Sequence, residues 1–279
     1  MTMRANLLVE LLVEELPPKA LKRLGDSFAS LLADSLRAQG LATTDAAVTS
    51  FATPRRLAVH ISAVEPRAAD KAVQHKLMPA SVGLDAHGKP TPALLKKLAS
   101  QGADESVLPQ LTRKLDGKAE ALFLESQVKG ATLAEGLQRA LAEMLAKLPI
   151  PKVMQYPDPS GDGWPSANFV RPAHGLVALH GSDVVAVTAL GLTSGRATQG
   201  HRFEAVQPDI KLRDADSYAE QLRVEGAVIA SYAERRADIV RQLAAAAAAE
   251  GLRVIDDEAL VDEVTSLVEK PKVDRKSVV

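Results

Sequence analysis

The sequence contains no cysteine, which excludes disulfide frameworks, thiolate zinc sites and thiol nucleophiles. Aromatic residues make up only 3%, too few for a surface that stacks many successive bases. No charge of either sign dominates. Lys plus Arg number 34 against 35 Asp plus Glu, a net charge of −1, so a blanket electrostatic grip on nucleic acid is absent and any such contact must be local. Apolar runs stay well short of the ~20 residues of a membrane span. The opening stretch has no basic region followed by an apolar core, and Glu10, Glu14 and Glu15 interrupt it; a cytoplasmic protein is expected. The short motifs for nucleotides, metals and serine nucleophiles are also missing: no phosphate loop, no G-x-G-x-x-G after a strand, no H-E-x-x-H, no G-x-S-x-G.

What remains is 279 residues with 46% hydrophobic and 25% charged content, a globular composition long enough for roughly two cores. From Ala5 to Val13 the odd positions are apolar while Asn6, Glu10 and Glu14 fall on even ones, which predicts a strand with one buried face. Pro17-Pro18 stops it and opens a helix whose Leu21, Leu24, Phe28, Leu31, Leu32 and Leu36 follow helical spacing, closed by Gly40. Two strands follow between Ala47 and Val64 around "ATPRR". Pro54 pre-extends the chain, and alternation then sets Arg55, Leu57, Val59 and Ile61 on the apolar face, with Arg56, Ala58 and His60 opposite. A guanidinium on an apolar face demands a partner.

Residues 66–92 show no period and are expected to be a loop or linker. A helix from Pro92 to Gln101, strands Leu108–Leu115 and Ala119–Lys129 turning at "DGK", and a helix capped by Thr132 and Glu135 come next. The last carries Leu133, Leu137, Leu141 and Leu145 on one stripe. Five prolines and two glycines in 149–169 predict an exposed loop. "GLVALHG" and "VVAVTALGL" suggest a hairpin, and beyond residue 205 helix dominates, with an alanine run ended by Gly251 and a last helix at about Asp257–Glu269. The expected class is α+β: a mixed body over 1–205, a helical region over 206–269, and a polar tail over 270–279 that does not fit the fold.

Two constellations carry possible chemistry. His174 and His180 lie on one strand with no third ligand in sight, so a metal or small-molecule site there is the weaker reading. Basic residues gather near turns: Arg171 and His174 in "NFVRPAHG", then Arg196, His201 and Arg202 in "SGRATQGHRF", a stretch punctuated by Gly191, Gly195 and Gly200. Glycines beside arginines suit an anion such as phosphate, but the same arginines could instead lock loops onto Glu10, Glu14 or Glu15. The adjacent Glu14 and Glu15 point opposite ways on a strand and do not make a catalytic dyad.

Seven segments, "VEELPPKAL" (13–21), "FATPRRLAVHI" (51–61), "LAKLPIPKVMQY" (145–156), "NFVRPAHGLVAL" (168–179), "GRATQGHRF" (195–203), "VIASYAERRADI" (228–239) and "LVDEVTSLVE" (260–269), together resemble the N-terminal part of the bacterial glycyl-tRNA synthetase β subunit. Three departures stand out: Leu12-Val13 where the family has Gly-Thr, an extended loop after Tyr156, and the tail after Glu269, which reads as a truncation or sequence artefact. The resemblance implies a non-catalytic part of an assembly of two α and two β chains that ligates glycine to tRNA(Gly). ATP and magnesium would act in the α chain, with no cofactor in this one. It further implies that Arg55 pairs internally with Glu14 or Glu15, that Arg56 is left for a loop or partner, and that Arg171, Arg196, His201 and Arg202 are candidates for the tRNA backbone. An autonomous RNA-binding or scaffold module is the competing reading.

Overall fold

A computed structural model describes residues 3–85, 87–100, 104–116, 119–157 and 166–274. β1 (Ala5–Val13) is followed by α1 (Pro18–Ala38), β2 (Val48–Thr53), β3 (Arg56–Val64), β4 (Lys71–Pro79), α2 (Ala80–Gly83), α3 (Pro92–Ser100), a 3-10 turn over Glu105–Gln110, β5 (Leu111–Asp116) and β6 (Ala119–Val128). Then come α4 (Leu133–Lys147), β7 (Met154–Pro157), β8 (Ser166–Phe169) and β9 (Ala173–His180), and the short β10 (Asp183–Val184), β11 (Thr188–Ala189), β12 (Leu192–Thr193) and β13 (Ala197–Gln199). β14 (Asp209–Lys211), α5 (Tyr218–Val224), α6 (Tyr232–Ala249) and α7 (Glu258–Thr265) complete the described chain. The class is α+β.

The chain forms two compact units, 69–130 and the remainder. In the larger unit β1 runs through the middle of an antiparallel sheet ordered β10-β9-β1-β3-β2. Its odd side chains Leu7, Val9 and Leu11 meet the apolar stripe of α1, Leu21, Leu24, Phe28, Leu32 and Leu36, and that of α4. Each such leucine, fully buried, contributes about 1.5–3 kcal/mol. Gly25 permits the close approach of α1, since a Cβ there would lie 2.6 Å from the Ala52 Cβ. The other sheet face is covered as well. Leu8, Ala58, Val177 and Leu179 pack on Ile210, Leu212, Tyr218, Leu222 and Val228, so β1 is buried on both sides and Glu10 with it.

The smaller unit is a three-stranded sheet ordered β4-β6-β5, with Leu94 and Leu98 of α3 packed on Leu77, Leu122 and Leu124. The expected linker over 66–92 is therefore corrected. Lys71–Pro79 is a strand with mostly exposed side chains, and the pattern is hidden because a lightly covered edge strand needs few apolar residues. Nor does a boundary fall at 205. β14 pairs with β13 across it, so the helical stretch 206–269 belongs with the sheet. Within 149–169, β7 pairs with β8 and Phe169 is buried; 158–165 lie outside the described residues. Of the expected tail, 270–274 are described: the Pro271 carbonyl accepts from Gln242 Nε2 at 3.0 Å and Val273 N donates to Gln242 Oε1 at 2.9 Å. Residues 275–279, and the glycine and lysine of the "DGK" turn, lie outside the description.

The larger unit's chain leaves and returns at one place. Ala68 N donates to the Ala131 carbonyl at 2.9 Å, and Arg67 bridges Thr132.

Candidate functional site

The tight turn Pro54-Arg55 joins β2 to β3 and docks on the end of β1: Val13 N donates to the Arg55 carbonyl at 2.8 Å and Leu16 N to the Pro54 carbonyl at 2.7 Å. Because Arg55 sits in the turn, its parity argument fails. Arg56 opens β3 and is the arginine that is buried. Its Nη2 lies 3.3 Å from Glu269 Oε1 and donates to the Gln199 carbonyl at 2.8 Å. Thr53 Oγ1 donates to the same Glu269 oxygen at 3.0 Å.

Around this pair the interior is charged. Arg235 of α6, wholly buried, gives Nε to the Thr265 carbonyl at 3.0 Å, Nη1 to Ile229 at 2.7 Å and Nη2 to Ala52 at 2.7 Å. Tyr218 Oη donates to Glu10 Oε2 at 2.5 Å. Burial alone would discharge Arg56, but Glu269 and Glu10 outweigh it and its pKa rises. For Arg235 burial wins, and its pKa falls to about 10. Burial beside Glu10 pushes the Tyr218 phenol well above its ordinary value. Arg56 Nε and Nη1 and Glu10 Oε1 have no hydrogen-bond partner among the described residues, a cost tolerated only inside a tightly held network.

Above the network lies the surface. Glu14 Oε1 is 3.0 Å from His174 Nε2, and Glu14 Oε2 is 3.9 Å from Arg202 Nη2. Arg55 reaches Gln199 Oε1 at 3.3 Å instead of Glu14 or Glu15, a correction to its expected pairing. Arg171 donates Nε to the Glu15 carbonyl at 2.9 Å. Arg55, His201, Arg202 and Lys270 share a pocket of about 210 Å³ with Phe203. Arg196 is elsewhere, its guanidinium capped by the carbonyls of Ser182, Leu212 and Arg213. Thus Arg171, His201 and Arg202 gather at the end of β1, and Arg196 locks a loop.

Of the two histidines of β9, His174 sits in a bulge, since Leu12 faces Gly175 and Val13 faces Ala173. His180 is buried and donates Nε2–H to the Val64 carbonyl at 2.8 Å, while His174 faces Glu14. Six residues of strand span ~20 Å, which rules out a shared ligand. Among the described residues no group of three His, Asp or Glu could hold a metal ion, and no helix is long and apolar enough to cross a membrane. Sequence reasoning missed Glu10, Arg56, Tyr218, Arg235 and Glu269 as one network, and Phe203 as an exposed neighbour of Arg202. Polar residues inside otherwise apolar stretches were the available signal.

The model of the glycyl-tRNA synthetase beta subunit family matches residues 7–274. The chain belongs to this family. The glycine–tRNA ligase beta subunit of Leptothrix cholodnii is 70% identical over 268 residues, 96% of this chain and 37% of that protein. That of Acidovorax ebreus is 66% identical over 271 residues, again 96% and 37%, and that of Thiobacillus denitrificans 65% over 269, 96% and 38%. The chain thus spans little more than a third of the length of these beta subunits.

Proposed function

We propose that this chain serves ATP-dependent ligation of glycine to tRNA(Gly) as a non-catalytic part of a β subunit, in an assembly of two α and two β chains. The family match over 7–274 carries this reading. The α chain holds ATP, magnesium and glycine, and this chain contributes assembly surface and tRNA contact. The arrangement of its arginines supports such a role: Arg56, Arg196 and Arg235 direct their guanidinium groups at carbonyl oxygens of neighbouring elements, which is scaffold chemistry. Arg171, His201 and Arg202 stand around the Glu14-Glu15 corner at the surface, so they are the tRNA backbone contacts we assign, while Arg196 is held in a separate loop.

Co-purification with the α chain, followed by tRNA(Gly) binding over a salt series, tests this. Charge reversal at Arg202 is expected to weaken binding and reduce the salt slope by about one. Failure to co-purify with α while RNA is still bound would favour an autonomous RNA-binding module.

A further inference from the structure

Phe203 is the most exposed aromatic side chain among the described residues, 87% open to solvent, yet the loop that carries it is tightly built. Gly200 N donates to the Pro208 carbonyl at 3.1 Å, His201 N to Gly226 at 2.7 Å, Val206 N to Glu225 at 2.9 Å and Ala205 N to His201 at 3.2 Å. Inside the turn, His201 Nδ1 accepts from the backbone N–H of Phe203 at 3.3 Å and of Glu204 at 3.2 Å. The His201 ring also meets Phe203 edge-on, with centroids 6.3 Å apart. The loop therefore fixes an aromatic ring outward rather than letting it fold back.

Its surroundings carry both signs of charge, with Arg55, Arg202 and Lys270 beside Glu15 and Glu269. Arg202 has a half-exposed side chain with one long ion contact to Glu14, and Lys270 reaches Glu204 at 3.0 Å. Arg55 Nε, shielded from solvent, has no acceptor among the described residues. All three share the small pocket beside Phe203. Unlike the arginines of the interior, Arg202 and Lys270 end in water, where an anion can reach them.

We propose that Phe203 is a stacking platform for one unpaired base of the tRNA, with Arg202 and Lys270 placed for its flanking phosphates. A single ring beside these two cations fits one base and its backbone. This rests on the reading of tRNA as the partner.

The test measures binding of a tRNA(Gly) transcript and of a short single-stranded RNA to the chain assembled with its α partner. Phe203→Ala and Phe203→Leu are expected to lose about 5- to 150-fold in affinity, the range of one base stack, and Phe203→Trp to retain it. Equal binding by the Leu and Trp variants would overturn the inference, because a stack needs a ring. Unchanged binding by Phe203→Ala, with the unsubstituted assembly binding normally, would overturn it and leave the proposed function standing. A loss of α-chain assembly with RNA affinity intact would make Phe203 a protein contact and overturn it too. No RNA binding by the unsubstituted assembly would bring down both readings.

Discussion

Arg56 and Glu269, 213 residues apart in sequence, meet at 3.3 Å with side chains 0% and 7% exposed. The contact ties the start of β3, the return strand of the β2–β3 hairpin, to the segment after α7, and Thr53 adds a hydrogen bond to the same carboxylate oxygen.

Removing one member strands the other charge in a low-dielectric interior. Glu269→Ala is expected to destabilise the larger unit by about 3–5 kcal/mol, whereas Arg56→Met combined with Glu269→Leu should recover much of that loss. Urea denaturation of the single and double variants measures it; equal losses in both would show that the charge pair is not the cause.

Tyr218 gives a pH dependence with a definite sign. Its phenol is held protonated in the folded state well above its ordinary value, so above about pH 10 the unfolded chain releases a proton that the folded chain keeps. The stability it contributes is present below that pH and lost as pH rises. Tyr218→Phe should be less stable by about 1–3 kcal/mol at neutral pH, since Glu10 loses its donor, and the gap should narrow on going from pH 9 to pH 11. A gap that widens would contradict this.

Gly200 sits where a Cβ would lie 2.8 Å from the Gly226 Cα and 2.9 Å from its carbonyl oxygen. Backbone does not swing aside. Gly200→Ala should cost about 1–3 kcal/mol and lower the melting temperature by several degrees, while also displacing the loop that presents Phe203. Crystallography of the variant would show the shift directly.

Thr132 and Glu135 form a reciprocal cap, with Glu135 N bonded to Thr132 Oγ1 at 3.3 Å and Thr132 N to Glu135 Oε2 at 2.8 Å. Thr132→Ala should cost about 1 kcal/mol, read by thermal melts; Thr132→Ser should be close to neutral.

That cap was legible from four residues of sequence, as were the prolines that open α1 and the glycines at 40 and 251 that end helices with φ of +75° and +68°. Local rules govern them. The burial of Glu10 was not legible, because alternation marks one covered face and says nothing of a second layer arriving from residues 210–228. Arg55 and Arg56 exchanged roles for a related reason: the count of residues in a turn decides which of two neighbours enters the strand. At the surface, the grouping of Arg171, His201 and Arg202 could be guessed from spacing, but Arg196 could not be set apart, since its three carbonyl partners come from a neighbouring loop and strand end. Phe203 gave no signal at all beyond its place next to an arginine.

The doorway at Ala68 and Ala131, whose backbones touch through a 2.9 Å hydrogen bond, makes the stretch 69–130 a cassette. A short glycine bridge from Ala68 to Ala131 would span that gap without shifting the register of any host strand, so excision of 69–130 leaves every strand pairing of the larger sheet in place.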